Sequence, residues 1–166
     1  MFTFTDALIL ACDTHKGQKD LGGEEYIKHP LHVYNAVKIK GGKDYVQMTA
    51  ILHDVFEDGN IEIGSIENAG CPEPVCKALR LLTNKVDKKK FNMRVYNAED
   101  YYFDYIKNLR GNDLGSEIAR TVKIEDLLHN LDISRFIKND NISFMSKKHN
   151  LRLLKYAKAL KMLTIN

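Results

Sequence analysis

Apolar residues in this chain recur at helical spacing, and glycine or proline punctuates most of the runs. This feature constrains the fold most, because a period near 3.6 buries one stripe of a helix and cannot keep one face of a strand apolar. TDALILACDTHKG has Thr5 placed to cap its start and Gly17 to stop it. HPLHVYNAVKIKGG carries Pro30 in its first turn and ends at Gly41 and Gly42. A third helix is expected from about Asp44 to Asp58, stopped by Gly59, a short fourth from Ile63 to Ala69, and a fifth from after Pro72 to Thr83. The basic stretch NKVDKKKFNMRVYN reads as a loop. Beyond it Asn97 is placed to cap AEDYYFDYIKNLR, whose tyrosines are expected in the core. A long helix follows from Leu114 to about Asp132, and Ser146 is placed to cap KKHNLRLLKYAKALKML. Strand alternation, internal repeats and a linker rich in Pro, Gly or Ser are all missing from the sequence. The expectation is an all-α fold of about seven to eight helices, one domain over residues 1–166 with its C-terminal helix over 146–165.

Two of these apolar helices contain residues that a core does not take without a reason. In AILHDVFEDGN, His53, Asp54, Glu57 and Asp58 interrupt Ala50, Ile51, Leu52, Val55 and Phe56. Burying an isolated carboxylate is very costly unless it is paired or binds a metal. On a continuous helix Asp54, Glu57 and Asp58 would share one face, where like charges repel unless a cation or a proton intervenes. VKIEDLLHNLDISRF repeats the oddity with Asp126, His129 and Asn130 among leucines and isoleucines, and His29 precedes the proline that starts another helix. Two histidines and two aspartates make a mixed N/O donor set suited to Mn, Fe or Zn, with coordination positions left for water and substrate. The bland alternatives are surface ion pairs for Glu57 and Asp58, and for His129 either a core histidine bonded to a carbonyl or a support for the metal ligands.

THKGQKDLGGEEYIKHPLHV, AILHDVFEDGN and VKIEDLLHNLDISR together resemble the successive motifs of the HD-domain phosphohydrolases. The branch they resemble is the Rel/SpoT-type guanosine 3′,5′-bis(diphosphate) 3′-pyrophosphohydrolase domain with its short single-domain relatives. The resemblance covers about residues 6–136. It implies one divalent metal ion, usually Mn, held by His29, His53, Asp54 and Asp126. It implies Glu57 and Asp58 as the pair that orients and activates the hydrolytic water, and Asn130 as a substrate contact. The implied activity is metal-dependent hydrolysis of a phosphate or pyrophosphate ester of a nucleotide, foremost that of ppGpp. The alternatives are an HD phosphohydrolase for another nucleotide, or a metal-binding module that senses a nucleotide without turnover. One departure stands out: Asp20 and Leu21 occupy the place of a basic pair in the Rel/SpoT pattern, so weaker ppGpp hydrolysis is expected, with Lys16 and Lys19 nearby to supply positive charge; the short single-domain relatives often have Asp at this place and share the HNxDxSR ending seen at His129 to Arg135.

Composition narrows the partners. With 166 residues, 44% hydrophobic and 28% charged, the chain is long and apolar enough for one globular core. A net charge of +3 suits a small anionic ligand but does not argue for nucleic acid. The longest apolar runs fall short of the roughly 18 residues of a membrane span, and the start reads as a helix, not a leader. No Walker-type glycine loop is present, which speaks against ATP-driven transfer. Cys12, Cys71 and Cys76 form no CxxC pair and read as free thiols of a reducing, cytoplasmic compartment. The expected partner is a nucleotide substrate, with no nucleic acid or membrane partner; a homo-oligomer is compatible with the sequence.

Overall fold

The computed structural model describes residues 1–57, 61–83, 98–136 and 147–165. Eight α-helices cover most of them: α1 (Phe4–Thr14), α2 (Lys28–Ile39), α3 (Asp44–Leu52), α4 (Ile63–Asn68), α5 (Glu73–Leu82), α6 (Ala98–Asn108), α7 (Leu114–Leu131) and α8 (Lys147–Thr164), with a short 3-10 helix at Ile133–Phe136. The described residues contain no strand, only an isolated bridge between Lys19 and Glu25. None of their helices is long and apolar enough to cross a membrane. The expected all-α architecture is the observed one.

Long helix α7 is the hub, packing against α2, α3, α5 and α8. On one side lies a core of Val33, Val37, Tyr102, Ile106, Leu109, Val122, Leu127 and Leu163, so two of the three YYFDYI tyrosines, Tyr102 and Tyr105, are indeed buried. On the other lies a core of Ala7, Ile51, Leu52, Phe56, Val75 and Leu79. Half-buried Tyr34 touches both. Cys71 and Cys76 are buried, Cys12 is exposed, and all three are free.

Two helix boundaries differ from expectation. Helix α1 is capped by Thr3 rather than Thr5, because Asp6 stands three residues on and closes a capping box. The Asp6 N–H donates to Thr3 Oγ1 (3.2 Å) and the Thr3 N–H to Asp6 Oδ2 (2.7 Å). Helix α3 ends at Leu52, not at Asp58. The His53 ring donates from Nδ1 to the Ala50 carbonyl (2.7 Å), which a continuing helix would have offered to the next turn. The chain then tightens into turns, with the Val55 N–H on Leu52 O (3.0 Å) and the Glu57 N–H on Asp54 O (3.3 Å). Asp54 and Glu57 therefore do not share a continuous helical face. Asp58, Gly59, the basic stretch at 84–97 including the Asn97 cap, and the Ser146 cap lie outside the described residues.

Candidate active site

Three elements deliver the polar residues of the interior to one point. Helix α2 buries His29, Val33 and Val37, four residues apart each time, so its apolar stripe is headed by a histidine. The end of α3 supplies His53 and, one residue on, Asp54. Helix α7 buries Val122, Asp126 and His129. His29 Nε2 stands 3.1 Å from Asp126 Oδ1, 3.4 Å from Asp54 Oδ2 and 3.3 Å from His53 Nε2. His53 Nε2 stands 3.3 Å from Asp54 Oδ2 and 3.8 Å from Asp126 Oδ1. Donors about 2.1 Å from one tetrahedral centre are ~3.4 Å from each other, so these spacings are those of a ligand shell.

The orientation of each donor agrees. His53 spends its Nδ1 hydrogen on Ala50 O, leaving the Nε2 lone pair facing the cluster. His29 Nδ1 lies 2.6 Å from His129 Nδ1, so His29 can donate there and likewise turn an Nε2 lone pair inward. Asp54 Oδ2 accepts from the Tyr26 hydroxyl (2.8 Å). Asp126 accepts from half-buried Lys123 at Oδ2 (2.7 Å) and from the Asn130 amide at Oδ1. The electrostatics favour a cation. Burial opposes charge on His53, yet Asp54 and Asp126 lift its ring to about 9, so near neutral pH Nε2 holds a proton that a bound cation would displace. Burial likewise opposes ionised Asp54 and Asp126, but His53 and His29 for the first, and Lys123 with the two histidines for the second, hold both carboxyls below their usual range. Among the described residues, His29, His53 and Asp126 offer donor atoms within 4.8 Å of one another, a set that fits a divalent metal ion, with Asp54 Oδ2 close to both histidines.

The cluster forms the floor of a cleft of about 320 Å³. Glu57 lines it, and desolvation, with the charge of Asp54 next, pushes its carboxyl up to about 7. Asn130 lines it too. Lys19 reaches its rim but is ion-paired to Glu25, and exposed Lys16 is not part of its wall. The THKGQ segment lies behind Tyr26, with His15 Nδ1 on Gln18 Oε1 (3.0 Å) and the His15 ring 4.9 Å from that of Tyr26.

Sequence reasoning missed Tyr26, Lys123, Arg135, Arg152 and Tyr156, which also line the cleft. Two signals were available: Lys123 precedes Asp126 by one helical turn, and Arg152 and Tyr156 share a face of α8. Arg135 closes the VKIEDLLHNLDISR motif, but nothing local in it pointed to its partner. It pairs with Asp20 (2.6 Å), so the acid that replaces a basic residue of the Rel/SpoT pattern is not an uncompensated charge in the cleft, and its carboxyl is held low by that partner against the effect of burial.

Among proteins of known description, the chain is 31% identical over 129 residues to a probable guanosine-3′,5′-bis(diphosphate) 3′-pyrophosphohydrolase of Synechocystis sp., a match to 75% of this chain and 16% of that protein. It is 28% identical over 126 residues to a GTP pyrophosphokinase of Streptomyces coelicolor, covering 76% of this chain and 14% of that protein. The chain thus matches only about a sixth of the length of these relatives. No family model matches it. A solved metazoan ortholog of SpoT that hydrolyzes ppGpp superposes with a TM-score of 0.73 over 98% of this chain and 85% of the other, at 22% identity. Three helical elements converge on one buried His/Asp centre under a basic-rimmed cleft, and the architecture around it superposes along nearly the whole chain: this chain folds as an HD-type, SpoT-like domain.

Proposed function

We propose that the chain is a metal-dependent phosphohydrolase that cleaves the 3′-pyrophosphate of a guanosine 3′,5′-bis(diphosphate)-like nucleotide, with Mn as its ion. The observation that carries this reading is the convergence of His29, His53 and Asp126 on one point beside Asp54 Oδ2, with both histidines held through their Nδ1 atoms, at an open cleft. The named activities of the Synechocystis protein and of the metazoan SpoT ortholog support the choice of substrate.

When bound, a divalent ion supplies Lewis-acid polarisation of a phosphoryl oxygen and offsets the charge that develops there. The rest falls to the chain. Glu57, with its carboxyl raised to about 7, is ionised in enough molecules near neutral pH to accept a proton and basic enough to hold it. It takes that proton from the water that attacks phosphorus as the ester P–O bond breaks; Asp58 shares this role in the motif. Lys123, Arg135 and Arg152 bring positive charge to the cleft wall, where a polyphosphate would lie. Asn130 holds Asp126 in place and presents its remaining polar capacity to the substrate.

Hydrolysis of a panel containing ppGpp, other nucleoside phosphates and NADPH, with Mn added to chelated protein, tests the reading. Pyrophosphate release from ppGpp is the expected result; ion binding without turnover of any member would make the domain a sensor.

A further inference from the structure

The pairing of Asp20 with Arg135 links residues 115 positions apart in the wall of the cleft that His29, Asp54 and Asp126 also line. Asp20 uses both carboxylate oxygens. Oδ2 accepts from Arg135 Nη2 (2.6 Å), while Oδ1 accepts the backbone N–H groups of Gly22 (2.8 Å) and Glu24 (2.9 Å), which shapes the loop before α2. The loop lies tight against the 3-10 helix. A Cβ on Gly22 would stand 2.7 Å from the Arg135 carbonyl oxygen, a separation that real Cβ atoms do not show, so the approach requires glycine. From Arg135 the contacts run inward. Its Nη1 donates to the His129 carbonyl (3.2 Å) and lies 3.4 Å from His129 Nδ1. His129 Nδ1 is 2.6 Å from His29 Nδ1, with the two rings nearly parallel at 9°. On its other face His129 stacks on His32, centroids 3.8 Å apart.

We propose that Asp20 and Arg135 are positioning residues for the metal centre: their ion pair clamps the loop to the end of α7, fixes the His129 ring, and through it holds His29 with its Nε2 lone pair toward the ion. The geometry assigns hydrogens along the path. If Nε2 of His29 is to bind an ion, its hydrogen must be on Nδ1, and His129 must accept it at Nδ1 and carry its own hydrogen on Nε2. A His129 ring free to turn would present the wrong nitrogen or none. Asp20 therefore orders the ligand shell; it does not repel substrate phosphate.

This inference rests on the metal reading above, and one experiment separates the two. Affinity for Mn and for Zn is measured by competition against a chromophoric chelator for the intact chain and for Asp20→Asn, Arg135→Gln, Arg135→Lys and His129→Gln, with Co(II) absorption recorded on each. Loss of an outer partner of a metal-ligating histidine typically weakens metal binding 10- to 100-fold. That loss is expected for His129→Gln and Arg135→Gln, with an altered Co(II) spectrum, a smaller loss for Asp20→Asn, and partial rescue in Arg135→Lys. Asp20→Asn combined with Arg135→Gln should weaken binding no more than Arg135→Gln alone. Wild-type affinity and spectrum in folded Arg135→Gln and Asp20→Asn overturn the clamp. Failure of the unaltered chain to bind any of the three ions overturns the metal reading itself.

Discussion

Replacing Gly22 by alanine adds one methyl group at the tightest point of the loop that precedes α2. The new Cβ would meet the Arg135 carbonyl oxygen at 2.7 Å and Asp20 Oδ1 at 3.2 Å. The first neighbour is backbone, held in a 3-10 turn, and cannot swing aside as the end of a long side chain would. One side must retreat by several tenths of an ångström, and small-to-large changes in packed positions cost about 1–3 kcal/mol. Gly64 is the control. It lies in α4, where an added methyl group would have nothing within 4 Å, so Gly64→Ala should stabilise by roughly 0.4–1 kcal/mol through helix and unfolded-chain terms. For a chain of this size each 1 kcal/mol moves Tm by about 2–4 °C. Thermal melts of both variants, with chelator competition for Mn, form the assay: Gly22→Ala should melt lower and bind the ion more weakly, while Gly64→Ala melts higher with affinity unchanged. A Gly22→Ala protein that matches the unaltered chain in both readouts would refute the close approach, and with it the clamp.

Glu57→Gln should keep the metal and the fold while lowering kcat by ~10²–10⁴, the usual contribution of a general base, and it should abolish the acidic limb that kcat/KM shows as Glu57 is protonated; metal content and pH–rate profiles on the same preparations check this. Asp20→Arg with Leu21→Lys, the change toward the Rel/SpoT pattern, should reduce ppGpp hydrolysis, since it breaks the pair with Arg135. The Asp20 pair also has a pH signature. A carboxyl held below its ordinary 3.8 contributes stability that is complete above about pH 4 and is lost as pH falls through the lowered value. The Tm gap between the unaltered chain and Asp20→Asn should be steady from neutral pH to about 5 and close in acid.

Much of this molecule was legible in its sequence because helices bury one stripe and the stripes were interrupted. Polar residues at His29, at His53 with Asp54, and at Asp126 broke three apolar contexts, and the structure brings donor atoms of His29, His53 and Asp126 within 4.8 Å of one another, with Asp54 Oδ2 beside the two histidines. Thr3 was missed as the first cap because the reciprocal role of Asp6 decides between two threonines. The end of α3 was missed because continued apolar residues at Val55 and Phe56 imitate a helix, while a side-chain bond from His53 to Ala50 O ends it. Asp20 was misread for a different reason. Set against the basic pair of the Rel/SpoT pattern, its charge looked turned toward substrate, but its partner is supplied by a segment 115 residues away that folding alone brings near. Lys123 reads as a solvated helical lysine, yet it is half-buried beside Asp126 with Tyr105 under its ammonium group.

The central question is whether this buried centre turns over a nucleotide when it holds an ion. Chelated protein is titrated with Mn while pyrophosphate release from ppGpp is followed, beside His53→Ala. The prediction is activity that rises with Mn and saturates near one equivalent per chain, and none in His53→Ala at any concentration. Hydrolysis that persists under chelator, or that survives in His53→Ala, would contradict it.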